Sequence, residues 1–228
     1  MLTPNTTSCP DCDAAMVYEP CSIGLLTVCP DCGYAFMEAR NMLSGPSKQP
    51  EDNSKLYARA GIGPEYQRGM TDCAEVVQAA KAGRNVYIVG GNGTKKSTLA
   101  AAAGMALIDE GASVQFVNAA IAIEDIKESF DSGGGGLRAK MCGADILIID
   151  DLGKGNPTEW SLSLWYSIVE ARNAAKLPTI VTTNYDGSKL IQRLAVNGDD
   201  STAKAVVSRL RGGALVVRMG GEDMRLEI

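Results

Sequence analysis

Residues 86–100 read Val86-Tyr-Ile-Val-Gly-Gly-Asn-Gly-Thr-Lys-Lys-Ser-Thr-Leu-Ala100. An apolar strand leads into a glycine-rich loop, and the loop ends in Lys96-Ser97 at the start of an alanine-rich helix. Backbone N–H groups of such a loop and the N-terminus of the helix attract phosphate oxygens. The stretch therefore predicts a nucleotide phosphate-binding loop within an α/β fold of parallel strands covered by helices.

The loop departs from the usual pattern at one position. The pattern G-x-x-x-x-G-K-[ST], begun at Gly90, expects glycine where this chain has Lys95. Glycine can adopt backbone angles that cost other residues about 1 kcal/mol or more. We expect ATP binding to be retained with weak turnover; a coincidental glycine turn is the alternative. The predicted nucleotide contacts from this loop are Gly91, Asn92, Gly93, Thr94, Lys95, Lys96, Ser97 and Thr98.

A second strand supplies two acids. Residues 145–153 read Asp-Ile-Leu-Ile-Ile-Asp-Asp-Leu-Gly, an apolar run that ends in Asp150 and Asp151. In P-loop ATPases the first acid belongs to the Mg²⁺ site and the second orients the attacking water. We therefore expect Ser97 and Asp150 to bind Mg²⁺ and Asp151 to be the catalytic carboxylate. The alternative is a buried strand with two solvated acids at its end.

Polar and basic residues further along complete the predicted site. The strand within residues 178–184 ends in Thr183 and Asn184. Asn184 is the first choice for sensing the γ-phosphate and Thr183 the second; capping of the next turn by Asn184 is the alternative. Arg209 and Arg225 can stabilise charge on a transferred phosphate when a neighbouring subunit delivers them, or they are solvated surface charges.

Periodicity predicts the elements around these motifs. Strands are expected at 86–89, 114–117, 145–149, 179–182 and 214–218, and residues 133–136 as a flexible glycine loop. Helices are expected at 71–82, 96–110, 121–130, 158–175 and 200–210. The chain divides into a cysteine-rich segment at 1–40, a linker at 41–56 and an ATPase domain at 57–228.

Composition limits the chemistry and the setting. The 228-residue chain contains no histidine, which excludes the commonest general base. Its net charge of −5 does not favour free-standing nucleic-acid binding. No apolar run is long enough to span a bilayer and the first residues lack a signal pattern, so we expect a cytoplasmic protein with no membrane partner.

Four of the seven cysteines form two Cys-x-x-Cys pairs. Sixteen residues separate Cys9-Pro-Asp-Cys12 from Cys29-Pro-Asp-Cys32. This spacing is typical of a tetrahedral structural zinc site of the ribbon type. A redox dithiol pair and an iron–sulfur cluster are the alternatives. Because a closed site of this kind is structural, it would present a surface to a protein or a nucleic acid.

Taken together, these motifs resemble the DnaC/IstB group of AAA+ ATPases, and within it the bacterial or phage helicase loaders. The resemblance covers residues 57–228 and is carried by several segments. These are the lead-in at 57–68, Ile149-Asp-Asp-Leu-Gly153, the run at 170–184, Ser208-Arg209-Leu210 and Arg225. Some loaders of this group also have an N-terminal zinc-binding domain that docks on the helicase.

The resemblance implies a sheet of order 5-1-4-3-2 and ATP-dependent assembly into a spiral or ring. It implies delivery of a DnaB-type replicative hexameric helicase onto single-stranded DNA, with Arg209 as the arginine finger and Arg225 as a sensor 2-like residue. The basic segment at 127–140 is the expected lining of a DNA channel.

Three other readings stay open. An IstB-type transposition regulator shares the fold but acts with a transposase. A RadA-type recombination ATPase also joins a four-cysteine ribbon to a P-loop core, although the Asp-Asp-Leu-Gly motif disfavours it. An adaptor without turnover would bind the helicase through the ribbon alone. A small-molecule kinase is disfavoured because the sequence has no lid or substrate-pocket signature.

Overall fold

The computed structural model describes residues 53–67, 72–131, 136–198 and 200–220, together with the backbone of three strands near the N-terminus. The chain separates into two compact units, Met1–Glu51 and Asp52–Ile228. The predicted boundary between linker and ATPase domain, at residues 56 and 57, falls inside the first helix of the second unit.

The first unit contains a three-stranded antiparallel sheet. Its strands are β1 (Val17–Cys21), β2 (Gly24–Val28) and β3 (Ala35–Ala39), in the order β1-β2-β3. In the sequence, the first Cys-x-x-Cys pair precedes β1 and the second lies between β2 and β3. All four cysteines lie outside the described residues, so the zinc site stays a prediction.

The second unit is built on a five-stranded parallel sheet. Its strands are β4 (Val86–Gly90), β5 (Val114–Asn118), β6 (Ile146–Asp150), β7 (Thr179–Thr183) and β8 (Leu215–Met219). They lie in the order β5-β6-β7-β4-β8. Counted from the strand before the glycine loop, this is the order 5-1-4-3-2, which confirms the expected fold class.

Eight helices accompany the strands in the described residues. They are α1 (Ser54–Arg59), α2 (Ala74–Lys81), α3 (Lys96–Asp109), α4 (Ala119–Asp131), α5 (Gly136–Gly143), α6 (Glu159–Ala174), α7 (Gly187–Leu194) and α8 (Ser201–Arg211). The five predicted helices are all present, whereas α1, α5 and α7 were not predicted. Gly136, placed in a flexible loop from the sequence, instead begins α5. Within this described set, every helix is too short or too polar to cross a bilayer.

The sheet is covered on both faces, which is why its strands are almost uniformly apolar. Alternate residues of β4 and β6 enter two separate cores. Tyr87 and Ile149 pack in the core that includes α6, while Ile88 and Ile148 pack in the core that includes α3. At Gly104 of α3, a Cβ atom would lie 2.7 Å from Ile148 Cδ1, so the small residue lets α3 approach the sheet closely.

A buried arginine ties the amino-terminal ends of β6 and β7 to the surrounding helices. Arg172 of α6 is 1% exposed, and burial lowers the pKa of its guanidinium to about 10. Its three nitrogens donate hydrogen bonds of 2.7 to 3.3 Å to Thr179 Oγ1 and to the carbonyl oxygens of Met141, Ala144, Asp145 and Pro178. Two of these carbonyls, those of Met141 and Ala144, lie in or just after the C-terminal end of α5, where backbone acceptors otherwise lack partners.

Arg172→Ala is expected to lower the free energy of unfolding by about 3–5 kcal/mol, because it leaves several buried carbonyls without donors. Arg172→Lys should also be destabilising, since one ammonium cannot replace the planar fork of five donors. Urea denaturation measures both. The control is Arg138→Ala on the exposed face of α5, expected within about 0.5 kcal/mol of the parent; equal effects at the two positions would contradict this assignment.

Candidate functional site

The carboxyl-terminal ends of β4, β6 and β7 meet at one edge of the sheet and enclose a cavity of about 80 Å³. Parallel strands bring their carboxyl ends to the same edge, and ligands of open α/β sheets bind there. The cavity is lined by Tyr66, Asn92, Gly93, Thr94, Lys95, Lys96, Ser97, Thr98, Asp151, Lys154 and Asn184. Most of the predicted nucleotide-binding residues are therefore brought together by the fold.

Lys96 lies inside the glycine loop. Its side chain is buried, and Nζ donates a hydrogen bond of 2.5 Å to the carbonyl oxygen of Gly91. Thr94 Oγ1 donates to the same oxygen at 3.0 Å. Gly91 therefore accepts two hydrogen bonds within the loop and does not line the cavity. A phosphate oxygen is a stronger acceptor for an ammonium than a neutral carbonyl, so Lys96 is placed to bind phosphate in this loop.

Lys95 has the backbone conformation that the motif requires of glycine. Its φ is 63° and its ψ is 24°, in the left-handed region, immediately before the first residue of α3. A residue with a side chain pays about 1–2 kcal/mol for this conformation. The loop therefore keeps its phosphate-binding shape despite the substitution. The exposed Lys95 side chain adds an ammonium group to the lining of the cavity.

One hydroxyl couples Asp150, which ends β6, to Asp151, which follows it. Thr182 Oγ1 donates to Asp150 Oδ1 at 2.7 Å and accepts from the backbone N–H of Asp151 at 2.9 Å. Burial raises the pKa of Asp150, and hydrogen bonds from the Ser97 and Thr182 hydroxyls oppose that rise. A hydroxyl and a carboxylate oxygen are ligands that suit Mg²⁺. Ser97 and Asp150 therefore fit the metal that the motifs predict.

Asp151 turns out of the strand into the cavity. Its φ of 59° is left-handed, a conformation that aspartate adopts more readily than most residues. Its Oδ2 accepts from Lys154 Nζ at 2.9 Å. Lys154 was not predicted from the sequence, although a basic residue three positions after the acid was a visible signal.

Asn184 joins the end of β7 to the glycine loop. Its Nδ2 donates to Asn92 Oδ1 at 2.9 Å. Its own Oδ1 is buried and has no hydrogen-bond partner among the described residues, which leaves an acceptor for a water molecule in the cavity. Asp186, not Asn184, caps the next helix.

Thr183 was a second choice for this role, and that choice is wrong. Its hydroxyl is fully buried and donates to the carbonyl of Leu152 at 2.7 Å. The side chain therefore packs between β7 and the loop after β6, away from the cavity lining.

Arg209 lies near the amino-terminal ends of the strands, at the edge of the sheet opposite the cavity. Its backbone carbonyl accepts from Nδ2 of Asn85, the residue before β4, at 2.9 Å. The guanidinium is paired with the carboxylate of Glu170 and lies 5.2 Å from the centre of the Tyr166 ring. Arg209 therefore does not join its own phosphate cavity. Arg225 lies outside the described residues.

The family model for IstB-like ATP binding proteins matches residues 66–228. The chain belongs to this family. Its core is an AAA+ ATPase domain.

Two curated proteins are similar to this IstB-like ATPase, and the printed name of the first agrees with the assignment. The putative insertion sequence ATP-binding protein y4uH of Sinorhizobium fredii is 29% identical over 181 residues, covering 77% of this chain and 68% of y4uH. The uncharacterized protein YdaV of Escherichia coli K12 is 28% identical over 124 residues, and the match spans half of each protein.

Solved structures share the fold at low identity. DnaI gives a TM-score of 0.59 at 20% identity, covering 69% of this chain and 94% of DnaI. The DnaC helicase loader gives a TM-score of 0.53 at 20% identity, covering 77% and 93%. AMPPCP-bound DnaA from Aquifex aeolicus gives 0.56 at 22% identity, covering 69% of this chain and half of DnaA.

Asp150→Asn is expected to weaken magnesium-dependent ATP binding about tenfold to a hundredfold, because contacts of a charged group contribute about 1.5–3 kcal/mol. It should also raise the Tm of the nucleotide-free protein. The raised pKa means that ionised Asp150 destabilises the folded state above that pKa. The Tm gain should therefore shrink as the pH falls toward about 3.9, the ordinary aspartate pKa.

The matched control lies at the other end of the same strand. Two hydrogen bonds from Ser113 lower the pKa of Asp145, so ionised Asp145 stabilises the folded state above its unfolded pKa. Asp145→Asn should lower the Tm near pH 7, and that loss should disappear as acid protonates the parent residue. Thermal melts across pH measure both variants; a Tm shift of the same sign in the two would refute the assignment.

Proposed function

We propose that this IstB-like ATPase is a loader that uses ATP to deliver a replicative hexameric DNA helicase onto single-stranded DNA. The observation that carries the proposal is the joining of a complete ATPase core to a separate N-terminal unit that contains two Cys-x-x-Cys pairs. The core supplies assembly and release driven by ATP, and the N-terminal unit supplies a docking surface for a protein partner.

The cavity residues divide the chemistry of hydrolysis among them. Lys96 and the loop N–H groups bind the phosphates, and Ser97 with Asp150 would hold Mg²⁺, which neutralises phosphate charge when bound. Asp151 and Asn184 Oδ1 orient water. The oxygen of that water forms a bond to the γ-phosphorus while the bond to the β,γ-bridging oxygen breaks, giving ADP and phosphate; the proton of the water leaves to Asp151 or solvent.

Self-association would complete the site. Arg209 lies at the edge of the sheet opposite its own cavity, so it can reach a transferred phosphate only in a neighbouring copy. A guanidinium supplied in this way stabilises transition-state charge. We propose that ATP binding at this seam drives assembly into a spiral or ring, with Arg225 as a further phosphate contact.

The N-terminal unit is proposed to dock on a DnaB-type helicase. Its three strands are too few for a large core, and a zinc ion held by Cys9, Cys12, Cys29 and Cys32 would supply the folding free energy that such a unit lacks. In the ATPase core, Lys127 and Lys140 are exposed and are proposed to contact the single strand.

A second candidate function is an ATPase that acts with a transposase. The family description and the printed name of y4uH, an insertion sequence ATP-binding protein, support it. It would use the same cavity and the same seam between copies. The two functions differ in the partner, which the ATPase core alone does not specify.

The deciding experiment mixes the full chain with candidate hexameric helicases, or with a transposase, in the presence of ATP and images the complexes. We expect an ATP-dependent complex with a helicase and loading of that helicase on circular single-stranded DNA. Binding to the transposase alone would favour the second function. Loading that proceeds without ATP would identify an adaptor that does not need turnover.

Two substitutions at Lys95 separate charge from backbone strain. Because the extra ammonium competes with Lys96 for phosphate oxygens, Lys95→Ala and Lys95→Gly should both raise ATP turnover severalfold. Only glycine removes the left-handed strain, so Lys95→Gly should be about 0.5 kcal/mol more stable than Lys95→Ala. Steady-state hydrolysis, ATP titration and thermal melts measure these effects. If the unmodified chain did not bind ATP and Lys95→Gly did, the expectation that the unmodified chain retains ATP binding would be wrong.

A further inference from the structure

Lys154 occupies a position in the cavity that the loop motifs do not explain. It lines the same space as Lys96, Ser97 and Asn184, and its ammonium is paired with the carboxylate of Asp151 at 2.9 Å. A carboxylate held by an ammonium has fewer lone pairs available for water. The residue expected to orient the attacking water is therefore occupied by a partner from its own loop.

The two members of the pair differ in freedom to move. Asp151 is fixed by its left-handed backbone and by its N–H bond to Thr182, and its side chain is 23% exposed. Lys154 has a flexible four-carbon stem, and its side chain is 59% exposed. A change of partner therefore moves Lys154 and leaves Asp151 in place.

The backbone on both sides of Lys154 is held. Gly153 and Gly155 both have φ of 93°, a conformation suited to glycine. Arg193 of α7 donates to the carbonyl oxygen of Gly153 at 3.3 Å and to that of Gly155 at 3.0 Å. The loop is thereby tied to α7, and the movable part is the lysine side chain alone.

We propose that Lys154 is a switch that distinguishes ATP from ADP: it pairs with Asp151 when no γ-phosphate is present and with the γ-phosphate when ATP binds. The γ-phosphate carries more negative charge than a carboxylate and offers three acceptor oxygens, so it competes well with Asp151 for the ammonium of Lys154. Its arrival frees Asp151 to orient water only when there is a bond to hydrolyse. The inference rests on the proposed ATPase site and assigns Lys154 as a contact to the γ-phosphate.

The test compares binding of ADP with that of AMPPCP, an ATP analogue that is not hydrolysed, both with Mg²⁺ by calorimetry. Lys154→Gln should weaken AMPPCP binding about tenfold, the loss of one charge-assisted contact. It should change ADP binding less than about twofold. Asp151→Asn should tighten AMPPCP binding by at least twofold, because the competing carboxylate is gone; asparagine tolerates the left-handed backbone.

The control is Lys81→Gln, which removes a surface ion pair of similar length to Glu110, at 2.7 Å. It lies by the far end of α3, about 20 Å along the helix from the loop, and should alter neither ligand. An unchanged ratio of AMPPCP to ADP affinity in Lys154→Gln would overturn the switch and show a surface ion pair only. Failure of the parent chain to bind either nucleotide would instead overturn the proposed ATPase site.

Discussion

The register between β6 and β7 is the constraint on which the site depends, and it is fixed at both ends. At the amino-terminal edge, the buried guanidinium of Arg172 binds Asp145 and Pro178, the residues that lead into the two strands. At the carboxyl-terminal edge, Thr182 of β7 binds both acids that follow or end β6. A slip of one residue would invert the strand faces and separate the acids from the hydroxyl that positions them.

Electrostatics in the cavity follow from that arrangement. Three ammonium groups, from Lys95, Lys96 and Lys154, line a small space with the carboxylate of Asp151. Such a cavity would suit a triphosphate, because its ammonium groups can bind phosphate oxygens and the unpartnered oxygen of Asn184 can accept from a water molecule. Two of these lysines have partners within the protein, Lys96 a carbonyl and Lys154 a carboxylate. Phosphate binding would therefore exchange these internal contacts of the two lysines for contacts with phosphate oxygens.

The sequence predicted much of this site because its signals are local. Glycine spacing marked the phosphate loop, and polar residues after apolar runs marked Asp150, Asp151 and Asn184. Some of the features that it missed lie in short elements, and others need contacts between residues far apart in the chain. Helix α1 is only six residues long, too short for a clear periodic signal. Arg172 has the pattern of an ordinary helix charge in the sequence, and Thr183 stayed a second choice behind Asn184 until its side-chain direction was known.

By itself, the sequence determined the fold class, the five strands, the phosphate loop and the family, because hydrophobic periodicity and glycine spacing are properties of neighbouring residues. Only the tertiary structure decided which side chains share the cavity. It showed that Lys95 adopts the left-handed conformation, that Lys154 pairs with Asp151, and that Arg209 lies at the other edge of the sheet. The position of Arg209 depends on strand order and helix packing, which bring together residues far apart in the chain. The other two outcomes depend on the backbone angles and side-chain directions of neighbouring residues, which hydrophobic periodicity does not specify.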